Sequence, residues 1–348
     1  MRFKRISGLL VAVFMLIIVS EASAISEGAA IFLLIRPGAR PNGMGGAFVA
    51  IADDATATYY NPAGLAFVKG KEVTLMHCNW LSKIWGEVGG DMYYEFASYV
   101  QPYEDWGVIG GNIVFLSEGK SYIMDNEGNE LGTFSSFEFA PSLSYGTIVT
   151  KNLGAGVNLK IIHSHLISVP VEWLENVKGV ATTWALDLGV LYKGPLRNLN
   201  LGANIQNIGP KLKYIKAEEA DPLSTNLRAG LAYKVLESKL FRLTTALDFT
   251  KSLVNLKSPW KDQLRETVTH TGAEFWYYDL LALRIGWVYD FYLYGAEKKP
   301  LGDQITFGGG VRYKFPKSGT KIEFDFSREP GGELQPGGNR KFSLSVGF

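Results

Sequence analysis

From about Lys71 to Phe348 the chain alternates apolar and polar residues singly, in segments parted by turn clusters. In Asn226–Val235, Leu227, Ala229, Leu231, Tyr233 and Val235 share one face, while Asn226, Arg228, Gly230, Ala232 and Lys234 share the other. Leu281–Asp290, Asn200–Gln206, Ile305–Phe315 and Lys321–Ser327 obey the same rule. A period of two is that of a β-strand with one apolar face. About fourteen segments can be laid out this way, the first starting near residue 71 and the last near 340. Val108–Phe115 loses its alternation at Gly110-Gly111.

Alternation alone suits a sandwich as well as a barrel, and two features favour the barrel. The segments approach the ~9–11 residues of a tilted membrane strand, about twice the ordinary strand length. Their second face is rich in Gly, Asn, Arg, Lys and Asp, as a polar lumen requires. An even number of strands closes an up-and-down barrel with no free edge. Trp106, Trp173, Trp184, Trp276, Tyr277, Tyr278, Trp287, Tyr292 and Tyr294 lie near segment ends, where interfacial girdles form. Tight connections such as Lys193-Gly194-Pro195 and Pro316–Gly319 alternate with longer polar ones: Glu118–Gly132, Val169–Lys178, Pro210–Pro222, Leu253–Glu266 and Glu329–Gly338. The expected fold is all-β: a transmembrane antiparallel up-and-down barrel over residues 71–348.

The two ends of the chain add a destination. Arg2, Lys4 and Arg5 precede the apolar Leu9–Val19, and Ala22-Ser23-Ala24 matches a small-x-small cleavage site. The apolar stretch is shorter than the ~20 residues of a spanning helix, so residues 1–24 read as a cleaved signal peptide. In the last segment Phe342, Leu344, Val346 and Phe348 share one face. That pattern resembles the C-terminal signal by which the barrel-assembly machinery recognises outer-membrane proteins. Outer-membrane lipid and that machinery are the partners these ends imply, and the Gram-negative outer membrane is the expected location.

Composition agrees. Charged residues make up 20% of the chain, below the ~25% of ordinary soluble domains. A formal net charge of +1 supplies no basic field for nucleic acid. The single cysteine, Cys78, excludes an internal disulfide framework and reads as a buried thiol.

Residues 25–70 do not alternate. Arg36–Gly46 is a Gly/Pro/Asn-rich loop, with Gly45-Gly46 suited to positive φ or close backbone approach. Ala47–Ala52 is compact and apolar enough for a short helix. Asp53-Asp54 could cap a helical turn over Ala55–Tyr60, which Asn61-Pro62-Ala63-Gly64 would then break. A loop-and-helix segment of this size ahead of the first strand is expected to plug the lumen.

The stretch MGGAFVAIADDATATYYNPAGLA (Met44 onward) resembles the N-terminal signature of FadL-like outer-membrane proteins, above all the PorV/PorQ branch. NIQNIGP at Asn204–Pro210, LSTNLRAGLAY at Leu223–Tyr233 and GAEFWYYDLLALRIGW at Gly272–Trp287 are similar to that branch too. The resemblance covers most of the chain and is most specific over Gly43–Ala66. It implies a 14-stranded barrel with a plug, whose motif residues are Gly43, Gly45, Gly46, Asp53, Asp54, Asn61, Pro62, Ala63 and Gly64. It further implies handling of secreted cargo proteins through the extracellular loops, or FadL-type transport of hydrophobic small molecules such as fatty acids or hydrocarbons.

Candidate chemistry is thin. His163 and His165 share one side of a strand, but two imidazoles need further ligands to hold a metal. Asp53 and Asp54 could form an acid/base pair, and capping explains them more simply. Gly308-Gly309-Gly310 and Gly43–Gly46 lack the context of a phosphate loop. His77, His163, His165 and His270 have no evident serine constellation. No cofactor, no metal and no enzymatic activity are expected.

Overall fold

The computed structural model describes residues 28–81, 92–104, 106–125, 127–168, 178–194, 198–214, 220–254, 267–290, 304–331 and 335–348. The expected signal peptide, the Val169–Lys178 connection but for Lys178, most of Leu253–Glu266, and Trp173, Tyr292 and Tyr294 lie outside them. The described strands open with β1 (Glu72–Asn79), β2 (Tyr93–Tyr103), β3 (Gly107–Met124), β4 (Glu130–Thr150) and β5 (Leu153–Ser168). They continue with β6 (Lys178–Lys193), β7 (Leu199–Ile208), β8 (Asn226–Glu237), β9 (Phe241–Ser252) and β10 (Thr267–Tyr277). The last are β11 (Leu281–Tyr289), β12 (Ile305–Lys314), β13 (Lys321–Gly331) and β14 (Gln335–Gly347).

Each strand pairs antiparallel with its sequence neighbours, and β1 pairs with β14, so fourteen strands close into an up-and-down barrel. That is the architecture the alternation predicts, since closure leaves no edge unpaired. No helix among the described residues is long and apolar enough to cross a membrane.

Side-chain parity is consistent around the wall. Leu75, Leu143, Ile161, Leu283, Ile285 and Leu344 point outward and are exposed, as a lipid-facing surface requires. Asn158, Asp187, Asn204, Arg228, Asp248, Glu274, Arg284 and Asp325 point inward and are buried. At one end Lys71 and Phe348 exchange backbone hydrogen bonds of 2.9 and 3.0 Å. The short connections 104–106, 151–152, 238–240 and 278–280 join strands there, marking the periplasmic end; the strand ends that border the longer sequence intervals 80–92, 209–225, 253–266 and 290–304 mark the extracellular one.

Several expectations need correction. Glu118–Gly132 and Glu329–Gly338 are mostly strand, because β3–β4 keep pairing as far as Ile123 opposite Gly132, and β13–β14 as far as Gly331 opposite Gln335. Above the membrane neither face need be apolar, so the alternation fades while the ladder continues. Gly110-Gly111 causes no slip: Gly110 and Gly111 stay opposite Val100 and Tyr99. Gly110 faces inward, and a Cβ there would stand 2.9 Å from Val100 Cγ1 and 3.2 Å from Thr58 of the N-terminal segment. Trp276 is no girdle residue. It faces the lumen, is 1% exposed, and carries the Arg312 guanidinium 3.9 Å from its ring centroid. Trp106, Tyr277 and Tyr278 are exposed at periplasmic turns, and Trp184 points outward.

The N-terminal segment folds inside this wall. A 3-10 turn over Ile31–Leu34, one α-turn over Ala39–Gly43, another over Ala57–Tyr60 and a 3-10 turn over Pro62–Phe67 are its regular elements. Ala39–Gly43 is therefore helical where a loop was expected. Ala47–Ala52, expected as a helix, is a chain of turns, because the Phe48 and Val49 amides donate instead to the barrel carboxylate of Asp248 at 2.7 and 2.8 Å.

Candidate functional site

The candidate site is the lumen, filled at mid-height by residues 39–65. Met44, Ala47, Phe48, Val49 and Ala50 are fully buried there. Close approach of the segment to the wall depends on inward-facing glycines. Gly146, Gly156 and Gly189 stand opposite one another across β4, β5 and β6. A Cβ on Gly156 would fall 2.2 Å from the Pro62 carbonyl carbon, and one on Gly189 2.2 Å from Asn61 Oδ1. Across the lumen Gly272 and Gly286 form a second pair, where a Cβ would meet Met44 O at 2.4 Å and Gly45 N at 2.1 Å. Glycine on the polar face of these strands is therefore a mould for the backbone inside.

The motif residues are distributed through this contact. Gly45 and Gly46 have φ of 67° and 81°, the region glycine tolerates best. Thr306 Oγ1 accepts from Gly45 N at 2.9 Å and donates to Gly43 O at 3.2 Å. Gly45 O lies 2.8 Å from His270 Nδ1. Asn61 Oδ1 accepts from Ala63 N at 3.1 Å, with Pro62 opening the 3-10 turn. Asn61 Nδ2 donates to Val49 O at 2.8 Å and to Val190 O on β6 at 3.0 Å. Gly64 packs under the Ala52 carbonyl, which a Cβ would approach to 2.1 Å. Asp54 Oδ1 accepts from Thr56 N at 2.9 Å, an Asx turn leading into Ala57–Tyr60. Phe342 and Leu344 point outward and are exposed, with Phe348 at the periplasmic end.

The turn Ala57–Tyr60 carries no side-chain cap, and Asp53 and Asp54 instead both bind Arg40 Nη1, each at 2.7 Å. The same guanidinium grips Glu274 of β10 with two bonds of 2.8 and 3.0 Å. Glu274 in turn accepts from Arg284 at 2.7 Å, and Arg284 reaches Asp325 at 2.6 Å. A second knot joins Arg36 to Glu329 at 3.1 Å and Glu329 to Lys341 at 2.7 Å. Buried charges are tolerable only when paired and hydrogen-bonded, and here the pairs tie the segment to β10, β11, β13 and β14. Burial works against the Arg40 charge, yet Asp53, Glu274 and Asp54 together raise its pKa well above the usual value. Burial likewise pushes Asp53 upward, but Arg40 prevails and holds it below its usual value. For Asp54 burial dominates, with Glu72 and Asp53 adding to it, and the pKa is raised.

Sequence reasoning did not single out Arg36, Arg40, Glu274, Arg284 or Asp248. The usable signal was parity: an ionisable residue on an inward strand position needs a partner, and few cations precede the first strand to supply one.

Above the plug the lumen changes character. Met76, Cys78, Tyr94, Phe96, Val114, Leu116, Ala140, Ile162 and Ala181 form an apolar inner wall on β1–β6, packed with Phe32, Leu33, Tyr59 and Tyr60. Leu212 and Leu223 of the β7–β8 connection join it. Gly28–Leu34 lies at this extracellular side, with Ala29 N bonded to Pro222 O at 2.7 Å. There Ile31 is 61% and Leu34 46% exposed. His163 and His165 point outward, His165 stacked on Phe137 and His163 tilted against Phe139, and no carboxylate, thiol and imidazole group able to hold a metal occurs among the described residues.

Residues 19–259 match the family described as Type IX secretion system protein PorV. The chain belongs to the PorV family. No curated protein matches it. Among solved structures, the toluene transporter TbuX of Ralstonia pickettii shares 15% identity, covers 90% of this chain and 97% of its own, and superposes with a TM-score of 0.54. The P. putida toluene transporter TodX shares 14%, covers 89% and 96%, and gives 0.53. At such identity these likenesses show the fold alone, and with the family they place this PorV-family chain in the outer membrane.

Proposed function

We propose that this PorV-family barrel handles secreted proteins at the extracellular surface, in a type IX secretion-like shuttle or attachment role. The observation that carries the reading is the apolar floor beneath the extracellular connections: Ile31 and Leu34 are exposed on top of a plug knotted to the wall by buried ion pairs. An exposed apolar surface ringed by polar connections suits capture of a folded partner. The β3–β4 hairpin supplies further surface, with Tyr122, Met124 and Leu131 exposed near its tip. In this reading residues 1–24 are removed on export, the Phe342–Phe348 face is read by the barrel-assembly machinery, and the outer wall contacts only lipid. The protein uses no cofactor, binds no nucleic acid and catalyses no reaction.

A second reading has one observation in its favour. The apolar wall of β1–β6 runs from the extracellular side down to the plug, as a path for hydrophobic small molecules would, and the structural relatives TbuX and TodX are described as toluene transporters. Affinity purification from outer membranes, with protein and lipid analysis of the eluate, separates the two. Co-purifying secreted proteins that are lost in Ile31→Asp/Leu34→Asp support cargo handling. Stoichiometric fatty acid or hydrocarbon, without protein partners, would replace it with transport.

A further inference from the structure

The periplasmic side of the plug carries a feature that neither reading uses. Beneath Ile51–Asp54 lies a cavity of about 290 Å³, walled by the periplasmic ends of strands from β6 to β13. Its lining holds six cationic side chains, Arg40, Lys193, Lys234, Arg242, Arg312 and Lys321, against four acidic ones. The acids are already committed: Arg40 holds Asp53, Asp54 and Glu274, and Lys234 holds Glu237 at 3.0 Å. Arg312 and Lys321 are answered at 2.7 Å by Glu323 and Glu72, outside the cavity lining.

Two cations are left with capacity. Lys193 makes no ion pair among the described residues, though the Asp53 carboxylate lies near enough to act on its charge; its Nζ sits 4.0 Å from the Phe67 ring centroid. Among the described residues Arg242 pairs with one carboxylate, Asp279 at 2.9 Å, whose side chain is 64% exposed in the β10–β11 turn, a pair that solvent screens; its guanidinium also lies 5.5 Å from the Trp276 ring centroid. A cavity of this size holds a small anion with its first waters, at ~30 Å³ per water. Cationic surplus in a recess with protein walls concentrates anions.

We propose that this vestibule is a binding site for a small periplasmic anion, a phosphate or carboxylate group, with Lys193 and Arg242 of its lining as the cations that draw it in. Asp53 is its internal competitor: half exposed, it shares Arg40 Nη1 with Asp54 and presents a carboxylate to the cavity from the plug side. The site therefore couples anion occupancy to the Arg40 knot that fastens the plug.

Isothermal titration of the full detergent-solubilised barrel with sodium phosphate, and separately with succinate, at low ionic strength tests this. Saturable one-site binding absent with chloride is expected, weakened at least tenfold in Lys193→Gln and in Arg242→Gln, and unchanged in Lys213→Gln on the extracellular connection. Phosphate binding without succinate binding, or the reverse, assigns the anion class. Asp53→Asn should tighten binding several-fold, a gain that misfolding cannot produce, and heat-modifiable gel mobility reports that each variant is folded. No saturable binding of either anion, wild-type affinity in folded Lys193→Gln, or unchanged affinity in Asp53→Asn would overturn the proposal.

Discussion

The two halves of the inner wall solve the same problem with opposite chemistry. On β1–β6 the upper lumen is largely apolar, interrupted by the buried Lys160–Asp187 pair and Glu138, and Phe96, Ile162 and Leu116 pack with Phe32 and Tyr60 of the plug. On β7–β14 it is charged or amide-rich, and Arg40, Arg36 and the Phe48 and Val49 amides are held by Glu274, Glu329 and Asp248. Apolar contact is non-directional and tolerates sliding. Buried ion pairs fix one register, since a slipped charge loses its partner without regaining water. The plug is thus cushioned on one side and indexed on the other.

Breaking the indexed side should cost most. Glu274→Ala removes the buried carboxylate that Arg40 and Arg284 share, leaving Asp53 and Asp54 to the one and Asp325 to the other, and removing one partner of a buried pair costs about 3–5 kcal/mol. Urea unfolding in detergent should show that loss, and chymotrypsin should gain access to Phe48 and Tyr59 in the otherwise folded barrel. Next comes the mould: Gly156→Ala forces a Cβ against Pro62 and should cost about 1–3 kcal/mol as overpacking, read in the same unfolding experiment. On the cushioned side Ile162→Val should cost only about 1 kcal/mol and, unlike Glu274→Ala, should leave chymotrypsin access unchanged. The smallest effect is a pH effect. Asp53 is held below its usual pKa by Arg40, so its contribution is complete above the ordinary carboxylate range and is lost as pH falls through the lower folded value. Pepsin access followed in acid should therefore rise in the wild type and rise less in Asp53→Asn.

Strand existence and number were legible because parity is local: each residue's face follows from its neighbours in sequence. Where parity lost its environmental cause, as in the β3–β4 hairpin above the membrane, the reading shortened the strands. Gly110 and Trp276 were misjudged for a related reason. A glycine's purpose and an aromatic ring's direction depend on what stands across the lumen, which is Thr58 in one case and Arg312 in the other.

The same division holds for the plug. Its sequence marks a segment that cannot be a strand, and its glycines mark tight turns. Arg40 standing between Glu274 and the two aspartates, separated from Glu274 by most of the chain, is a property of the closed barrel alone. Sequence by itself determined the alternating wall, its closure and its family, because these rest on short-range periodicity and a contiguous motif. Tertiary structure decided which inward charges meet, which glycines shape the plug and which cations line the vestibule. Those depend on distances across a lumen that exists only once β1 has paired with β14.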